Sequence, residues 1–505
     1  MHTVFGPQFE ATLRGDPGRV AMTLGAVRLT YGDLERAASD LAARLRQALP
    51  DAAAGSPVAL LCPCPVANLI GFLAVQHAGF AHLPLNPRLT DPELTRLLAI
   101  TGTRLVLGDE PRRLPAGIAF ARVIPASATA LPVFDLPAAG PGAVSSPPPQ
   151  DTDIGLIISS SGSSGHPKCV RIRRDRYAHH IAAQARACDL RPSDIYQLVL
   201  PCFHGGGLIG VLGAAMVAGA TVAALPPGPF VAAQVLDHLV ARGVTMTHLI
   251  PTMLYRVAAE LEARPRDLTG LRRIHFGSMP MDPELMTRCR RLFPGRMNQT
   301  YGSTECGLIG VLSPADIDAG SAASARILAG QGVRIVDAGG RDVAVGETGE
   351  LVVARDLALI ADYAGDPALT AAVIRGDLVY SGDMVRREAE GLFRFIGRKD
   401  AMIVSGGFKI VPSEVEACLG GYPGISAVAV LGVPDPEFGQ AVCAVIEASE
   451  PACPPLDALR GWARTRLAPY KLPRRVVCVP ALPRTATGKI AYAQLRALLA
   501  ALPQP

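Results

Sequence analysis

The sequence has little excess of charge of either sign and no block of like charges. Its 505 residues include 49 Lys and Arg against 44 Asp and Glu, which gives a formal net charge of +5. Proteins that coat nucleic acids concentrate basic residues in one run or on one face. The even distribution argues against such a protein, so we expect no nucleic-acid partner, although small anionic ligands remain open.

The eleven cysteines lack the paired spacing that builds a zinc site or a disulfide framework. We interpret the one close pair, Cys62-Pro63-Cys64, as two small apolar residues at the end of a strand. A reducing, cytoplasmic compartment is therefore expected. The first residues show no basic segment followed by an apolar run, so we also expect no signal peptide.

A long uninterrupted apolar run is also missing. Residues 198–236 contain no charged side chain, but Pro201, three consecutive glycines and Pro226-Pro227 interrupt them. A membrane-spanning helix needs about 20 strongly apolar residues. We therefore expect no membrane span and interpret the stretch as core, a buried helix followed by a buried strand over 221–225.

The first hundred residues show the alternation of strands and helices that is typical of parallel α/β layers. Thr30 and Asp33 have the spacing of a capping box at the start of a helix. A doubly wound sheet is the simplest architecture for this pattern.

The length of the chain predicts at least two folded units. After residue 397 the pattern changes to short helix, two strands, helix and strand, which is typical of a small α+β unit. The predicted fold class is α/β, with a large N-terminal domain of layered α/β sheets (1–397) and a small, mobile C-terminal α+β domain (398–505). We place a hinge near Asp400 and an exposed loop over 136–150, which is rich in Pro, Gly and Ser.

A predicted strand over 154–158 runs into a loop of hydroxyls and glycines that ends in a lysine. Small residues let backbone N–H groups approach a polyphosphate, hydroxyls donate hydrogen bonds, and the lysine adds charge. The spacing of a Walker A loop is absent, and by itself the segment could equally be a surface turn. The candidate nucleotide-binding residues in it are Ser160, Ser161, Gly162, Ser163, Ser164, Gly165 and Lys168.

Further motifs follow this loop in order. They are YGSTE at 301–305, YSGD at 380–383, GRKD at 397–400 with SGGFKI at 405–410, YKLP at 470–473 and PRTATGKI at 483–490. Together they resemble the core motifs of the adenylate-forming superfamily, which includes acyl-CoA synthetases, nonribosomal-peptide adenylation domains and beetle luciferases. The resemblance covers nearly the whole chain. Each motif alone is weak, but their common order leaves little room for chance.

The resemblance implies a two-step reaction. A carboxylate attacks the α-phosphate of ATP to give acyl-adenylate and pyrophosphate, and a thiol then displaces AMP. It further implies that Glu305 binds Mg²⁺, that Thr304 bonds the α-phosphate and that Tyr301 lies beside adenine. Gly302 and Ser278 complete this part of the expected nucleotide site.

The remaining matched positions are implied to complete catalysis. Asp383 would accept hydrogen bonds from both ribose hydroxyls, and Arg398 would contact ribose or phosphate. Lys489 would bridge the substrate carboxylate and the phosphate while negative charge builds. In the family the small domain rotates about the position of Asp400 after adenylation. The rotation would bring in Gly406 and Gly407, which would line the pantetheine tunnel of CoA.

The charge-free stretch supplies candidates for the acyl pocket. The segment PCFHGGG at 201–207 resembles the one that acyl-CoA synthetases place beside the acyl group, with His204 near the carboxylate. The other expected contributors are Gly205, Gly206, Ile250, Met253, Gly277, Met279 and Leu308. Residues 198–236 contain no aspartate to pair with an ammonium group, which disfavours amino acids as substrates. A fatty or aromatic carboxylic acid fits.

Our main functional hypothesis is a carboxylate–CoA ligase that uses ATP, Mg²⁺ and CoA, with Lys489, Thr304, Glu305 and His204 in catalysis. Two alternatives stay open: a stand-alone ligase that loads an acyl-carrier protein, and a non-catalytic ligase-like binding protein. The chain departs from the usual pattern at Cys169 and Ala401. The sequence leaves the acid and the oligomeric state undetermined.

Overall fold

Two large β-sheets with helices between and outside them form the body of the structure up to residue 398. The structure is a computed structural model that describes residues 5–125, 131–136, 153–161, 167–279, 281, 283–321, 324–405, 408–448, 453–485 and 489–501. The predicted α/β class and the layered arrangement of the large domain are confirmed. Strand Pro57–Leu61 is buried along its whole length, as parallel strands covered on both faces are.

The larger sheet has fourteen strands within the described ranges. Their order is Val333–Val336, Thr348–Ala354, Leu378–Arg387, Leu392–Arg398, Ala325–Ile327, Gly307–Leu312, Met297–Ser303, Arg273–Gly277, Met246–Leu249, Ile195–Leu198, Thr221–Ala224, Val20–Leu24 and Val27–Thr30, with Ile374–Arg375 beside Leu378–Arg387. The segment from Met297–Ser303 to Thr221–Ala224 is parallel. The carboxyl ends of such strands form the edge at which open α/β sheets bind ligands.

The second sheet has eight strands in the part of the chain that the structure describes. Their order is Ile360–Tyr363, Pro167–Arg173, Ile154–Ser161, Ala81–Pro84, Pro57–Leu61, Leu105–Gly108, Ala119–Ile124 and Val133–Asp135. The hairpin of Ile154–Ser161 and Pro167–Arg173 carries the two ends of the Ser/Gly loop. Residues 137–150 of the predicted exposed loop lie outside the described residues.

Helices fill the layers between and beside the sheets. In chain order they are Gly6–Gly15, Tyr31–Ala48, Pro65–His77, Asp91–Thr101, Arg174–Ala187, Gly205–Gly207, Ala214–Ala218, Ala232–Ala241, Pro251–Ala263, Pro283–Leu292, Pro314–Asp318 and Pro367–Val373, with a π-helix at Leu208–Gly213 and 3₁₀ turns at Ala389–Gly391 and Lys399–Ala401. The largest hydrophobic cluster joins residues of both sheets to the helices between them. Every residue from Pro65 to Gln76 is buried, because that helix is covered on all sides.

The capping box at Thr30 and Asp33 is confirmed at the start of helix Tyr31–Ala48. The backbone N–H of Asp33 donates to Thr30 Oγ1 at 3.0 Å, and the N–H of Thr30 donates to Asp33 Oδ2 at 3.1 Å. Two N-terminal backbone donors are thus satisfied by side chains that the sequence places three residues apart.

The charge-free stretch folds as core. It forms the short helix Gly205–Gly207, the π-helix Leu208–Gly213, the helix Ala214–Ala218 and the strand Thr221–Ala224. The π-helix thus interrupts the α-helical hydrogen bonds of the predicted helix. The predicted strand is present. Among the described residues, no helix has the length and apolar character that crossing a membrane requires.

The C-terminal part of the chain has its own small sheets and cores. Its elements are the strands Ile403–Ser405, Phe408–Ile410, Ile425–Asp435, Gly439–Ala448 and Arg475–Val479, the helices Pro412–Gly420, Leu456–Arg464 and Tyr492–Ala501, and a 3₁₀ turn at Pro469–Lys471. Two hydrophobic clusters lie within residues 403–499 and contain no residue of the large sheets. The domain boundary at 397/398 and the hinge at Asp400 remain predictions.

The doubly wound arrangement expected from the first hundred residues is present in the second sheet. There Pro57–Leu61 lies parallel between Ala81–Pro84 and Leu105–Gly108, and the two intervening helices pack on opposite faces. The sequence did not indicate that the first two strands belong to the other sheet. Val20–Leu24 and Val27–Thr30 form an antiparallel hairpin at the edge of the larger sheet, where Val20–Leu24 pairs with Thr221–Ala224. Pro57–Leu61 and Ala81–Pro84 belong to the second sheet. Local periodicity identifies strands but carries no information on a partner that lies far along the chain.

The cysteine spacing predicted no disulfide framework, but the structure contains one disulfide that the sequence did not indicate. Cys453 and Cys478, 25 residues apart, are disulfide-bonded in the C-terminal part. The fold brings the segment before helix Leu456–Arg464 against strand Arg475–Val479, a juxtaposition that spacing in the sequence does not reveal. Cys62 and Cys64 are buried and free, as interpreted.

Candidate active site

Two adjacent strands of the larger sheet present the candidate ribose-binding groups. Asp383 and Arg398 lie opposite each other in the antiparallel pair Leu378–Arg387 and Leu392–Arg398. Arg398 Nη1 donates to Asp383 Oδ1 at 2.8 Å, and Tyr301 Oη donates to Asp383 Oδ2 at 2.7 Å. Burial disfavours the charged form of Arg398, but the carboxylates of Asp383 and Asp400 together outweigh it and raise the pKa of Arg398. Asp383 is thus held in one orientation by two donors.

Two glycines allow the close approaches in this region. Gly302 lies beside the turn of the hairpin Met297–Ser303 and Gly307–Leu312, where a Cβ would be 2.2 Å from the carbonyl oxygen of Gly307. Gly382 has φ +74°, a left-handed conformation, and a Cβ there would lie 2.9 Å from Arg398 Nη2. A side chain at Gly302 would displace the backbone of the facing strand at Gly307, and one at Gly382 would displace Arg398.

Thr304 and Glu305 lie in the turn between these two hairpin strands, both half-buried. Tyr363 Oη donates to Glu305 Oε1 at 2.7 Å. Lys168 Nζ lies 6.0 Å from the centre of the Tyr363 ring. Burial and the charge of Glu305 raise the pKa of Tyr363, so its hydroxyl stays a donor. Tyr363 therefore links the carboxylate at 305 to the lysine at the end of the Ser/Gly loop, a role that our sequence analysis missed.

The structure describes only the two ends of the Ser/Gly loop. Ser160 and Ser161 end strand Ile154–Ser161, and Lys168 pairs in register with Ser160 from the facing strand. Gly162, Ser163, Ser164 and Gly165 lie outside the described residues. Cys169, the departure from the family pattern, is a buried strand residue whose thiol pKa burial raises to about 12.

Lys489 reaches this site from the C-terminal part of the chain. Its backbone N–H donates to Thr485 Oγ1 at 3.2 Å, and its carbonyl oxygen accepts from the N–H of Thr485 at 2.7 Å. Burial lowers the pKa of the ammonium group, Asp383 and Glu305 raise it, and Arg398 lowers it. The structure thus brings a C-terminal lysine within electrostatic range of the three N-terminal groups matched to nucleotide and metal binding.

His204 is the N-cap residue of helix Gly205–Gly207, where its Nδ1 accepts from the N–H of Gly206 at 3.2 Å. Burial and the charge of Lys489 lower the pKa of His204 to about 4. The ring is therefore neutral at pH 7, and acceptance at Nδ1 leaves the proton on Nε2. His204 can donate one hydrogen bond to an oxygen that also faces Lys489.

The other predicted pocket residues surround the carboxyl ends of the central strands. Ile250, Gly277 and Leu308 are buried, and Met279 is half-buried. Met253 packs partly against the cluster formed with the outer helices. Ser278 is exposed with φ +71°, an unfavourable conformation for a residue with a side chain and one that often marks a functional site.

The junction between the two parts of the chain carries a second contact that the sequence did not indicate. Asp400 lies in the 3₁₀ turn Lys399–Ala401, and its Oδ1 accepts from Arg398 Nε at 3.3 Å. Lys399 Nζ donates to Glu350 Oε2 at 2.6 Å, and Glu350 is buried. Gly406 and Gly407, predicted for the CoA tunnel, lie outside the described residues.

The donor set fits a magnesium ion held mainly by substrate oxygens. The described residues contain no group of three or more His, Cys, Asp or Glu side chains that could enclose a metal. Mg²⁺ is commonly bound by one or two carboxylates, several waters and substrate phosphates. Glu305 has one oxygen bonded to Tyr363 and a second that can serve as such a ligand.

Comparison with protein families matches most of the chain. Residues 9–361 match the AMP-binding enzyme family, and residues 414–489 match the AMP-binding enzyme C-terminal domain. The chain belongs to the AMP-binding enzymes. Within them it is an adenylate-forming ligase of the acid–thiol class.

Individual relatives support this assignment. The chain is 34% identical over 493 residues to a feruloyl-CoA synthase of Amycolatopsis sp, with 96% of each chain covered. It is 33% identical over 503 residues to an indoleacetate–CoA ligase of Aromatoleum aromaticum, again with 96% of each covered. The crystal structure of ATP-bound MatB from Rhodopseudomonas palustris has a TM-score of 0.83 at 23% identity, with 98% of this chain and 99% of that chain covered, and shows a common fold.

Proposed function

We propose that this protein is an ATP- and Mg²⁺-dependent ligase that converts a carboxylic acid to its CoA thioester through an acyl-adenylate. The proposal extends to an aromatic or fatty acid as substrate, since two relatives are named for aromatic acids and the predicted pocket is mostly apolar. It also includes a small domain that rotates about Asp400 between the two half-reactions.

The observation that carries the proposal is the electrostatic interaction of Lys489 with Asp383, Arg398 and Glu305. An acid attacking the α-phosphate of ATP brings two anions together, so the step needs fixed positive charge where the new bond forms. Lys489 supplies that charge, while Asp383 and Arg398 hold the ribose end. Mg²⁺, bound through Glu305, would neutralise phosphate charge. His204 Nε2 would donate to the acyl carboxylate and keep it in line.

The test separates the two half-reactions. Adenylation is measured by ATP–pyrophosphate exchange with fatty, benzoic and cinnamic acids, and thioester formation is measured from a preformed acyl-adenylate with CoA. Lys489→Met should lower exchange at least about 100-fold, the scale of a lost transition-state charge contact. It should leave thioester formation nearly unchanged, because Lys489 is needed only while the adenylate forms.

Arg466→Met is the matched control, because Arg466 is also a cation of the C-terminal part but is exposed and stacks on Trp462, with its guanidinium carbon 3.9 Å from the ring centre. It should retain exchange. A Lys489→Met enzyme with wild-type exchange would overturn the proposal. Release of pyrophosphate with no product from CoA, but with product from a phosphopantetheinylated carrier protein, would select the carrier-loading alternative. ATP binding without pyrophosphate release from any acid would select the non-catalytic alternative.

A further inference from the structure

Lys489 lies in a short paired segment that leads directly into helix Tyr492–Ala501. Arg484 and Ile490, on either side of the segment, form an antiparallel bridge. We call the described residues of 483–491 the lysine segment. Backbone pairing fixes the shape of this segment, so the position of Lys489 depends on how the segment and the helix after it are held.

Helix Tyr492–Ala501 and helix Pro412–Gly420 lie on opposite faces of the three-stranded sheet in the C-terminal part. Successive residues of a strand point to opposite faces of its sheet. In strand Ile425–Asp435, Val430 belongs to the hydrophobic cluster that includes residues of Pro412–Gly420. Leu431 belongs to the cluster that includes residues of Tyr492–Ala501. The sheet therefore lies between the two helices.

Glu416 of helix Pro412–Gly420 connects the two layers at the edge of the sheet. Within the described ranges, strand Ile425–Asp435 is the edge strand, with a neighbour on one side only. The N–H of Val430 in this strand donates to Glu416 Oε1 at 2.8 Å. Tyr492 Oη donates to the same oxygen at 2.7 Å. One carboxylate thus binds the strand edge and the first residue of the helix on the opposite face.

The surroundings of this contact make it a strong one. Glu416 and Tyr492 are both half-buried. Burial and the charge of Glu416 raise the pKa of Tyr492, so its hydroxyl keeps its proton and remains a donor. Hydrogen bonds to a charged group are stronger than those between neutral groups, and shielding from water strengthens them further. The start of helix Tyr492–Ala501 is therefore tied to the sheet edge by more than apolar contact.

The location of the tie matters because Tyr492 is only three residues after Lys489. A shift of the helix start moves the lysine segment with it, since the two are continuous in the chain. Catalytic steps that depend on positioning are sensitive to such shifts: a displacement of about 1 Å can slow the reaction by about 100-fold. The contact can thus control the step that needs Lys489 without approaching the reacting atoms.

We propose that Glu416 and Tyr492 are positioning residues for adenylation, whose hydrogen bond fixes the lysine segment and so places Lys489 at the nucleotide site. The inference rests on the proposed function and adds to it two residues that act through Lys489. Thioester formation does not need Lys489 in the proposed function. Loss of the hydrogen bond is therefore expected to slow the first half-reaction and spare the second.

The variant Tyr492→Phe removes only the hydroxyl. With the acid that gives the fastest wild-type exchange, it should lower the kcat of ATP–pyrophosphate exchange about 10-fold and leave KM for ATP and acid within about 2-fold. Thioester formation from preformed acyl-adenylate should stay at the wild-type rate. Tyr422→Phe is the matched control, because Tyr422 is in the same part of the chain but packs on Trp462, with ring centres 5.7 Å apart. Wild-type exchange in Tyr492→Phe, or equal slowing of both half-reactions, would overturn the inference.

Two variants of Glu416 separate the hydrogen bond from the bulk of the side chain. Glu416→Gln keeps an oxygen that can accept from Tyr492 and Val430, so exchange should stay within about 3-fold of wild type. Glu416→Leu removes both acceptors at similar size and should lower exchange at least as much as Tyr492→Phe does. Circular dichroism and thermal unfolding establish that each variant is folded. Equal loss of exchange in the two variants would contradict a role for the accepting oxygen.

The double variant Tyr492→Phe/Lys489→Met tests whether the effect passes through the lysine. Once Lys489 is absent its position no longer matters, so the double variant should exchange within about 2-fold of Lys489→Met alone. A further loss of about 10-fold would show that Tyr492 acts elsewhere and would overturn the inference. Wild-type exchange in Lys489→Met would instead overturn the proposed function. Slow exchange there with wild-type exchange in Tyr492→Phe would overturn this inference alone.

Discussion

Tyr363 shows how one hydroxyl can orient the carboxylate that we propose as the magnesium ligand. It donates to Glu305 and lies beneath the Lys168 ammonium, so it fixes which oxygen of Glu305 remains for a cation. A hydrogen bond to a charged group is worth roughly 1.5–3 kcal/mol. Its loss would free Glu305 to rotate without removing any charge from the site.

Tyr363→Phe should therefore lower kcat/KM for adenylation about 10-fold and raise the Mg²⁺ concentration needed for half-maximal activity. A magnesium titration of pyrophosphate exchange measures both effects. Tyr177→Phe serves as control, since Tyr177 is buried with its hydroxyl unbonded among the described residues. It should leave the magnesium dependence unchanged. An unaltered magnesium requirement in Tyr363→Phe would contradict the positioning role.

At the scale of elements, two ion pairs tie the junction near Asp400, where a strand ends and a 3₁₀ turn begins, to neighbouring strands of the larger sheet. Arg398 bonds Asp383, and Lys399 bonds Glu350 of strand Thr348–Ala354. Both hold the start of the C-terminal part against the larger sheet while Lys489 is in the site. Because Lys399 is 52% exposed, its pair with Glu350 is worth only about 1 kcal/mol.

Lys399→Met should shift the balance of conformations away from the one that places Lys489 at Asp383. Adenylation is expected to slow about 5-fold, which corresponds to about 1 kcal/mol, while thioester formation from preformed acyl-adenylate stays the same or quickens. Glu350→Gln removes the same pair from the other side and should act alike. Equal slowing of both half-reactions would show that the ion pair does not favour the adenylating conformation over the thioester-forming one.

For the whole molecule, buried neutral histidines should make the large domain less stable in acid. Burial lowers the pKa of His82 to about 3, of His180 and His248 to about 4, and that of His275 well below its usual range. All four bind protons in the unfolded chain below about pH 6.5 but not in the folded one. The unfolded state then binds more protons, so stability falls as pH decreases through this window.

The free energy of unfolding should accordingly decrease between pH 6.5 and pH 4, with these four groups contributing up to about 5 kcal/mol per pH unit. Urea unfolding of the large domain at pH 7.0 and pH 5.5 measures the decrease. His82→Phe should reduce proton uptake on unfolding by about one proton at pH 5.5. A stability that is flat between these pH values would contradict the prediction.

Local and ordered features were predictable from the sequence. The capping box at Thr30 depends on residues three apart, and the motifs around Tyr301, Asp383 and Lys489 depend on residue types in a fixed order. The α/β class followed from the alternation of predicted strands and helices, which the structure also shows. For all of these, the information lies within a few turns or in chemistry that demands particular side chains at particular points of the chain.

Only the tertiary structure decided which distant segments meet. Tyr363 reaches Glu305 because strand Ile360–Tyr363 pairs beside the strand of Lys168. His248 and His275 come into one row because two parallel strands lie in register, and Cys453 meets Cys478 because a helix returns the chain to a strand. The sequence by itself determined the elements and the candidate reacting groups, since these follow from local periodicity and functional chemistry. Which of these groups became neighbours was decided by the pairing of strands that lie far apart in the sequence. Such pairs are stabilised by burial in a common core, and no local pattern in the sequence identifies the partner.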